Sequence, residues 1–274
     1  MSPILSIIIP CFNSEATLES TLESVLNQDF QDWEAIIVND GSTDATEEMA
    51  LKWVNRDNRF KYFSKQNEGL GKTRNFGILK AKGKYVLPLD SDNLVANDFA
   101  KEAIAILENN NEIGVVHGDA EYFGEKSGLW KVDEFDLTRI LIGNYIDACA
   151  IYRKVLWEKV GGYAENMPFQ GHEDWELWIA FGSIGVQFKY INNITFKYRV
   201  TSSSMIHSFS ANMFEANNEF VFKKYAKYYH SQLEHTYNFN KSNELLFDMK
   251  LKSEKFVLKL FLNTIFRSQI FKIN

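Results

Sequence analysis

The first half of the chain alternates short apolar runs with polar turns and one-sided helical stretches. Ile4-Leu5-Ser6-Ile7-Ile8-Ile9 is β-branched and nearly all apolar, which predicts a buried strand ended by Pro10. Asn13-Ser14 then reads as a cap for a helix starting near Glu15, with Leu18, Leu22, Val25 and Leu26 on one face. Trp33 to Val38 repeats the buried-strand pattern, and Asn39 to Asp44 is a polar turn. Asp44 with Glu47 has the spacing of a capping box for the next helix. A short strand at Phe60 to Phe63 and a loop at Asn67 to Gly71 precede a helix over Lys72 to Lys80, with Phe76 and Leu79 expected to face inward. Tyr85 to Leu89 reads as strand, Asp98 to Glu108 as helix and Ile113 to Val116 as strand. This βαβαβαβ order predicts a parallel, right-handed, doubly wound sheet.

After about residue 120 the pattern becomes irregular. Val155 to Val160 reads as a short helix ended by Gly161-Gly162, and Glu173 to Phe181 as an amphipathic helix. Phe188 to Tyr198 reads as strand with a turn at Asn192-Asn193, and from roughly 208 the chain is helical and rich in aromatics and lysines. In Lys255 to Asn263, continuing through Arg267 and Lys272, polar residues recur every fourth place. That predicts an amphipathic basic helix, lying either on an anionic membrane or against the domain or a dimer partner.

Size and charge narrow the field. A chain of 274 residues holds one large α/β domain, or one domain with an appendage. A net charge of −6 argues against nucleic acid as the main partner, because phosphate binding needs a basic face. Cys11 and Cys149 are the two cysteines and form no Cys-x-x-Cys pair, so neither a disulfide framework nor a zinc pattern is expected. That points to a reducing, cytoplasmic setting. Met1-Ser2-Pro3 lacks the basic start of a secretory signal, and no apolar run approaches the ~20 residues that span a bilayer.

The candidate chemistry lies at the ends of the predicted strands. Apolar Tyr85 to Leu89 runs into Asp90-Ser91-Asp92. In an extended segment residues two apart point the same way, so Asp90 and Asp92 can share one cation or one polyhydroxy ligand. Hard oxygen ligands suit Mg²⁺ or Mn²⁺, which substrate phosphates often complete. Taken alone, the tripeptide reads as an Asx turn with two solvated acids, and the rest of the N-terminal half reverses that reading. Three polar loops, 10–14, 39–44 and 90–93, fall at the carboxyl ends of three strands, the edge where open α/β sheets bind ligands. Neither a Gly-x-Gly-x-x-Gly nor a Gly-Lys-Ser/Thr phosphate loop occurs there.

Four segments, in this order and spacing, carry a resemblance: Ser6 to Asn13, Val38 to Asp44, Gln66 to Gly69 with Arg74 to Gly77, and Leu89 to Asn93. The chain resembles family 2 glycosyltransferases of the GT-A fold over about residues 4–200. The resemblance implies a mostly parallel doubly wound sheet with a C-terminal helical appendage. It also implies an inverting transferase using a nucleoside-diphosphate sugar, usually a UDP-sugar, with Mn²⁺ or Mg²⁺. On this reading Pro10, Asn13 and Glu15 line the nucleotide pocket, Asp40 binds the base, and Arg74 lies near base or phosphates. Ser91 lies in the donor site, Asp90 contacts ribose or a metal-bound water, and Asp92 is the direct metal ligand. Gly171 to Trp178 resembles the family's Glu-Asp-Trp segment, which makes Asp174 the general base that deprotonates the acceptor hydroxyl. Tyr198-Arg199 resembles a Tyr-Arg that precedes a loop, with Arg199 on the pyrophosphate; Thr201 stands where many members have a metal-reaching His, and His207 is the substitute.

The implied organisation is a transferase domain over 1–205, with a nucleotide-sugar half at 1–119 and an acceptor half at 120–205, then a helical extension over 206–274. The acceptor is expected to be a glycan or a lipid-linked glycan of the cell surface, reached from the cytoplasm or the inner face of the plasma membrane. The rival readings are a non-catalytic sugar-nucleotide-binding subunit and a sugar nucleotidyltransferase. The second would need a Gly-rich basic loop where Pro10-Cys11-Phe12-Asn13 stands.

Overall fold

A computed structural model describes residues 2–201 and 209–251. The tail helix expected over 255–272, and His207, lie outside the described residues. The described chain falls into two compact units, one through Val221 and one from Phe222 onward.

The first unit is built on a mixed sheet. Its strands are β1 (Leu5–Cys11), β2 (Trp33–Asp40), β3 (Phe60–Lys65), β4 (Tyr85–Pro88), β5 (Leu94–Val95), β6 (Ile113–Gly124), β7 (Gly128–Trp130), β8 (Ile151–Arg153) and β9 (Gln187–Val200). The order is β3-β2-β1-β4-β8-β6-β9-β5, with β7 paired to β6. The helices are α1 (Leu18–Leu26), α2 (Thr46–Arg56), α3 (Leu70–Lys80), α4 (Phe99–Asn109), α5 (Leu137–Ile142), α6 (Lys154–Val160), α7 (Glu173–Ser183), α8 (Ala211–Lys224) and α9 (Ala226–Leu251).

The four strands β3, β2, β1 and β4 pair in parallel, as the alternating pattern predicts. Every residue of β1 and β2 is buried, because helices cover both faces of a parallel sheet. β1 continues through Pro10 to Cys11 rather than ending at the proline. Its pairing with β4 stops at Ile8–Pro88, so Pro10 pairs in register with β2 alone. Beyond β4 the parallel expectation is modified: β8 inserts antiparallel between β4 and β6. β6 is three times as long as its apolar core at 113–116 suggests, because it pairs with β9 along nearly its whole length. The turn expected at Asn192-Asn193 is a bulge within β9: Gly118 faces Ile191 and Asp119 faces Ile194, so two residues are looped out without breaking the strand.

α3 departs from its expected inward face. Leu79 is 69% exposed, while Thr73, Arg74, Asn75, Gly77 and Ile78 are buried. Gly77 explains the packing. A Cβ there would meet Ile8 Cγ2 at 2.6 Å and Val38 Cγ2 at 3.1 Å, so the helix lies against β1 and β2 closer than any other residue allows. That close approach sinks Arg74, one turn earlier, beneath the strand ends.

The second unit contains the end of α8 and all of α9. The rings of Phe222 and Tyr229 lie 4.9 Å apart. Among the described residues no helix is long and apolar enough to cross a membrane.

The Gly77 contact generates a stability test. The obstructing methyls belong to β-branched residues on central strands, which cannot rotate away freely. Gly77→Ala should therefore cost about 1–3 kcal/mol through overpacking. The melting temperature should fall by roughly 3–10 °C. A melting temperature equal to wild type would show that the helix is free to move off the sheet.

Candidate active site

The loops after β1, β2 and β4 meet at one edge of the sheet and are tied together by side chains. After β1 the chain turns through Asn13, which takes a left-handed conformation with φ 51°. Asn13 Oδ1 accepts from Thr43 N at 2.9 Å, and Asn13 N donates to Ser42 Oγ at 2.9 Å. α1 therefore begins at Leu18 rather than near Glu15. The intervening residues bridge to the loop after β2: Glu15 N donates to Asp44 Oδ2 at 3.0 Å, and Ala45 N donates to Glu15 Oε2 at 2.8 Å. Asp44 also accepts from Thr46 N at 3.0 Å. Burial works against the Asp44 charge, but these hydrogen bonds outweigh it and lower the pKa. The reciprocal cap of α2 thus comes from Glu15 on another loop, not from Glu47.

Asp40, at the end of β2, is 4% exposed. Its Oδ1 accepts from Lys65 Nζ at 2.6 Å and from Glu68 N at 3.1 Å, and its Oδ2 accepts from Gly69 N at 2.9 Å. In this arrangement it fixes the loop leading into α3. Gln170, a hundred residues further along the chain, holds the same loop by accepting from Leu70 N at 2.9 Å.

The acidic loop after β4 rests on three supports. Ser91 Oγ and Ser14 Oγ share a hydrogen bond of 2.8 Å. Arg199 N donates to the buried Asn93 Oδ1 at 2.9 Å, and Arg199 Nε donates to the Asp92 carbonyl at 2.9 Å. Another Arg199 nitrogen reaches Ser20 Oγ at 3.1 Å. In this structure Arg199 therefore braces the loop from β9. The third support is Arg74, which donates to Asp90 Oδ1 at 2.6 Å. Arg74 is 2% exposed, and its Nε has no partner among the described residues. Burial opposes its charge, but Asp90, Tyr163, Glu173 and Asp174 around it prevail and raise its pKa.

Asp174 arrives from a different quarter, in the first turn of α7. It is half-buried, accepting from Asn144 Nδ2 at 2.9 Å and from Trp175 N at 2.8 Å. Burial pushes its pKa up to about 6, against the pull of Arg74. Glu173 beside it is 2% exposed and is also raised by burial. Its carboxylate accepts from Gly171 N at 2.8 Å, which shapes the turn into α7. Asp92 is likewise raised to about 6, by burial and then by Asp90. Among the described residues no lysine or arginine forms an ion pair with the Asp92 carboxylate.

Two members of this cluster were not assigned from the sequence. Asp147 is raised well above a normal carboxylate by burial and then by the charges of Asp90 and Asp174. Tyr198 is raised by burial and then by Asp147, Asp90, Asp92 and Asp174. One signal for Asp147 was present: it is an acid inside the apolar run Tyr145 to Tyr152, and unpaired acids are seldom buried without a purpose. Asn144, which holds Asp174, lies with Asp147 in the segment Gly143 to Asp147, which loosely resembles the family's acceptor-side region and reads equally as core. Asn75 is buried, and its side chain makes four hydrogen bonds, to Trp157, Tyr163 and Glu165. It is a structural joint between α3 and the segment after α6. His172 is packed among Trp175, Phe209 and Phe214, in keeping with a structural part.

A divalent cation fits the donor set. Among the described residues no three His, Cys, Asp or Glu side chains form a closed metal cage. Magnesium-type sites, however, commonly use one or two carboxylates and leave the rest to substrate phosphates and water. Asp92, desolvated and in no ion pair with a lysine or arginine among the described residues, is such a carboxylate. Asp90 spends one oxygen on Arg74 and keeps the other.

Comparison with known proteins bears on the family and the fold. Residues 6–164, more than half of the chain, match the family described as Glycosyl transferase family 2. A putative glycosyltransferase EpsH of Bacillus subtilis is 28% identical over 236 residues, covering 78% of this chain and 66% of that protein. An uncharacterized glycosyltransferase of Rickettsia bellii is 32% identical over 183 residues, covering 65% of this chain and 26% of that protein. The chain thus spans from about a quarter to two-thirds of the length of these relatives. Among solved structures, S. aureus TarS 1-349 in complex with UDP-GlcNAc superposes with a TM-score of 0.66 at 22% identity, covering 79% of this chain and 64% of that one. A mannosyltransferase from Pyrobaculum calidifontis, in complex with GDP-Man and Mn²⁺, gives 0.59 at 18% identity, covering 74% and 59%. These likenesses establish a GT-A-like fold, and the match over 6–164 settles the family: the chain belongs to glycosyl transferase family 2.

Proposed function

We propose that this chain is an inverting, metal-dependent glycosyltransferase. It moves a sugar from a nucleoside-diphosphate sugar, most simply a UDP-sugar, to a hydroxyl of a glycan or lipid-linked acceptor in building a cell-surface glycan. The observation that carries this reading is the gathering of Asp90 and Asp174 around the buried Arg74, with Asp92 beside Asp90 and Asp174 supplied by a separate element. TarS, solved with UDP-GlcNAc, supports the choice of a UDP-sugar.

The donor lies along the edge formed by the loops after β1, β2 and β4. Pro10, Asn13, Glu15 and Asp40 shape its nucleotide end, and Ser91 and Arg199 hold the acidic loop in register with it. Arg74 pairs with Asp90 and orients it toward the ribose side. Asp92, with Asp90 beside it, would hold Mn²⁺ or Mg²⁺, which when bound offsets the charge that builds on the departing diphosphate. Asp174 accepts the proton of the acceptor hydroxyl as that oxygen attacks the anomeric carbon, and Asn144 and Trp175 N fix its carboxylate for the task. A base of pKa about 6 is largely ionised at neutral pH and still basic enough to share a proton. Residues 1–119 on this reading form the donor half and 120–205 the half that supplies the base.

Asp92→Asn should keep the fold and lose most metal-dependent binding of UDP, because a neutral amide is a poor ligand for a hard cation. Titration calorimetry of UDP with and without Mn²⁺ is the measurement. Equal metal-dependent affinity in variant and wild type would remove Asp92 from the site.

Asp174→Asn should bind UDP as wild type does and depress transfer by roughly 10²–10⁴-fold. The wild-type rate should rise with pH through an apparent pKa near 6 and then level, as the base loses its proton. Stability runs the other way. The folded pKa lies above the ~3.9 of an unfolded aspartate, so the native chain keeps a proton that the unfolded chain has released. The contribution of Asp174 to stability is complete below about pH 4 and is lost as pH rises through 6. Above pH 6 the Asn variant should therefore be the more stable protein, by about 1–2 kcal/mol once solvent screening is allowed for. A variant with near-normal transfer and no gain in stability would mean that Asp174 is neither the base nor a desolvated acid.

A further inference from the structure

Asp174 depends on a segment that has little regular structure of its own. Residues 161–172 connect α6 to α7 and lie mostly beyond the span matched to the family. Asn75 pins the start of this segment, through Tyr163 and Glu165. Its end is pinned by one residue of α8. Asn217 is 0% exposed, and its amide pairs with the backbone of Phe169 in both directions. Phe169 N donates to Asn217 Oδ1 at 2.9 Å, and Asn217 Nδ2 donates to the Phe169 carbonyl at 2.8 Å. The same Nδ2 lies 3.1 Å from Nδ1 of His172. Because the amide nitrogen is a donor, Nδ1 is the acceptor there and the imidazole is neutral, with its proton on Nε2. Burial favours that neutral form. Phe209 and Phe214 pack on the same ring, at centroid distances of 4.8 and 4.7 Å.

The pinned residues stand next to the chemistry on both sides. Gln170 follows Phe169 and holds the backbone at the start of α3, the helix that carries Arg74. His172 is the residue from which α7 begins, and Asp174 is in its first turn. A buried asparagine with its oxygen and both directions of pairing committed is costly to place unless every bond is made. Polar packing of this kind, on a segment entering a catalytic turn, fixes geometry more than it adds stability.

We propose that Asn217 is a positioning residue for the transfer step: α8 clamps the segment before α7 through Asn217 and so aims Asp174 at the acceptor hydroxyl. This rests on the glycosyltransferase reading above. The clamp acts on the base directly; on the diphosphate side Gln170 reaches only the backbone at the start of α3, while Asp90 and Asp92 hang from β4 and are held by Ser14, Arg74 and Arg199. Misplacing a catalytic group by about an ångström can cost of order 10²-fold in rate.

The test compares full-length wild type with Asn217→Ala, Asn217→Asp and His172→Phe. His172→Phe keeps the aromatic packing and loses one bond, so it serves if Asn217→Ala does not fold. Three quantities are read: hydrogen exchange of residues 165–172, calorimetric affinity for UDP with Mn²⁺, and release of UDP by hydrolysis of the nucleotide sugar that most raises the wild-type melting temperature, with water taking the place of the acceptor hydroxyl. Exchange at 165–172 should quicken at least tenfold in Asn217→Ala, and kcat should fall at least tenfold. KM and the UDP affinity should stay within threefold. Asn217→Asp, which keeps the acceptor for Phe169 N, and His172→Phe should fall between Asn217→Ala and wild type. Unchanged exchange would show that α8 does not clamp the segment. Faster exchange with kcat within twofold of wild type would show that the clamp does not aim the base. A loss confined to UDP affinity would likewise overturn the proposal. A wild-type chain that binds UDP and releases none from any nucleotide sugar would defeat the transferase reading, and the role given to Asn217 with it.

Discussion

The ion pair between Arg74 and Asp90 is the interaction on which the site depends. An arginine that is 2% exposed is expensive to bury unless its charge is met. Here it is met by a carboxylate at 2.6 Å and by the field of the acids around it. The converse holds for those acids. Burial first, and then neighbouring acids, resist the ionisation of Asp92, Asp147 and Asp174. One buried guanidinium lets part of the cluster stay charged. The pKa values of about 6 for Asp92 and Asp174 come first from burial, offset in part by Arg199 at Asp92 and by Arg74 at Asp174.

The rest of the fold brings that arginine under that strand. Gly77 allows α3 to press against Ile8 and Val38, and so sets the depth of Arg74. The cross-braces between Asn13 and Thr43, and between Glu15 and Asp44, lock the loops after β1 and β2 to each other. Several side chains with the character of ligand contacts are therefore spent on neighbouring loops, notably Asp40 on the entrance to α3 and Arg199 on the Asp92 carbonyl. Rigid loops at a sheet edge cost less to organise around a ligand than mobile ones, which is an advantage for a site that must hold a highly charged diphosphate.

On the acceptor side the logic changes. Asp174 sits on a helix turn whose approach is an irregular segment, held at one end by Asn75 and at the other by Asn217. Both asparagines are buried and both pair with backbone. Side-chain amides suit this work because each offers a donor and an acceptor in one plane. They substitute for the strand pairing that the segment lacks.

The sequence alone determined the alternating elements of the first 116 residues, the strand end at which the acids lie, and the identity of Asp90, Asp92 and Asp174 as candidates. These are local properties: hydrophobic period, β-branching and turn residues act over a few positions, and ordered motifs preserve them. The tertiary structure decided what depends on distant segments meeting. It alone turned Leu79 outward and Arg74 inward, because the inward face of α3 was chosen by the sheet it meets and not by its own apolar residues. It alone placed β8 antiparallel between β4 and β6, brought Asp147 and Tyr198 to the acids, and set Asn144 on Asp174. A pattern along the chain records which residues prefer burial. Which charges will share one buried space is fixed only when the chain closes on itself, since electrostatic interaction depends on separation in space and on how much water remains between the groups.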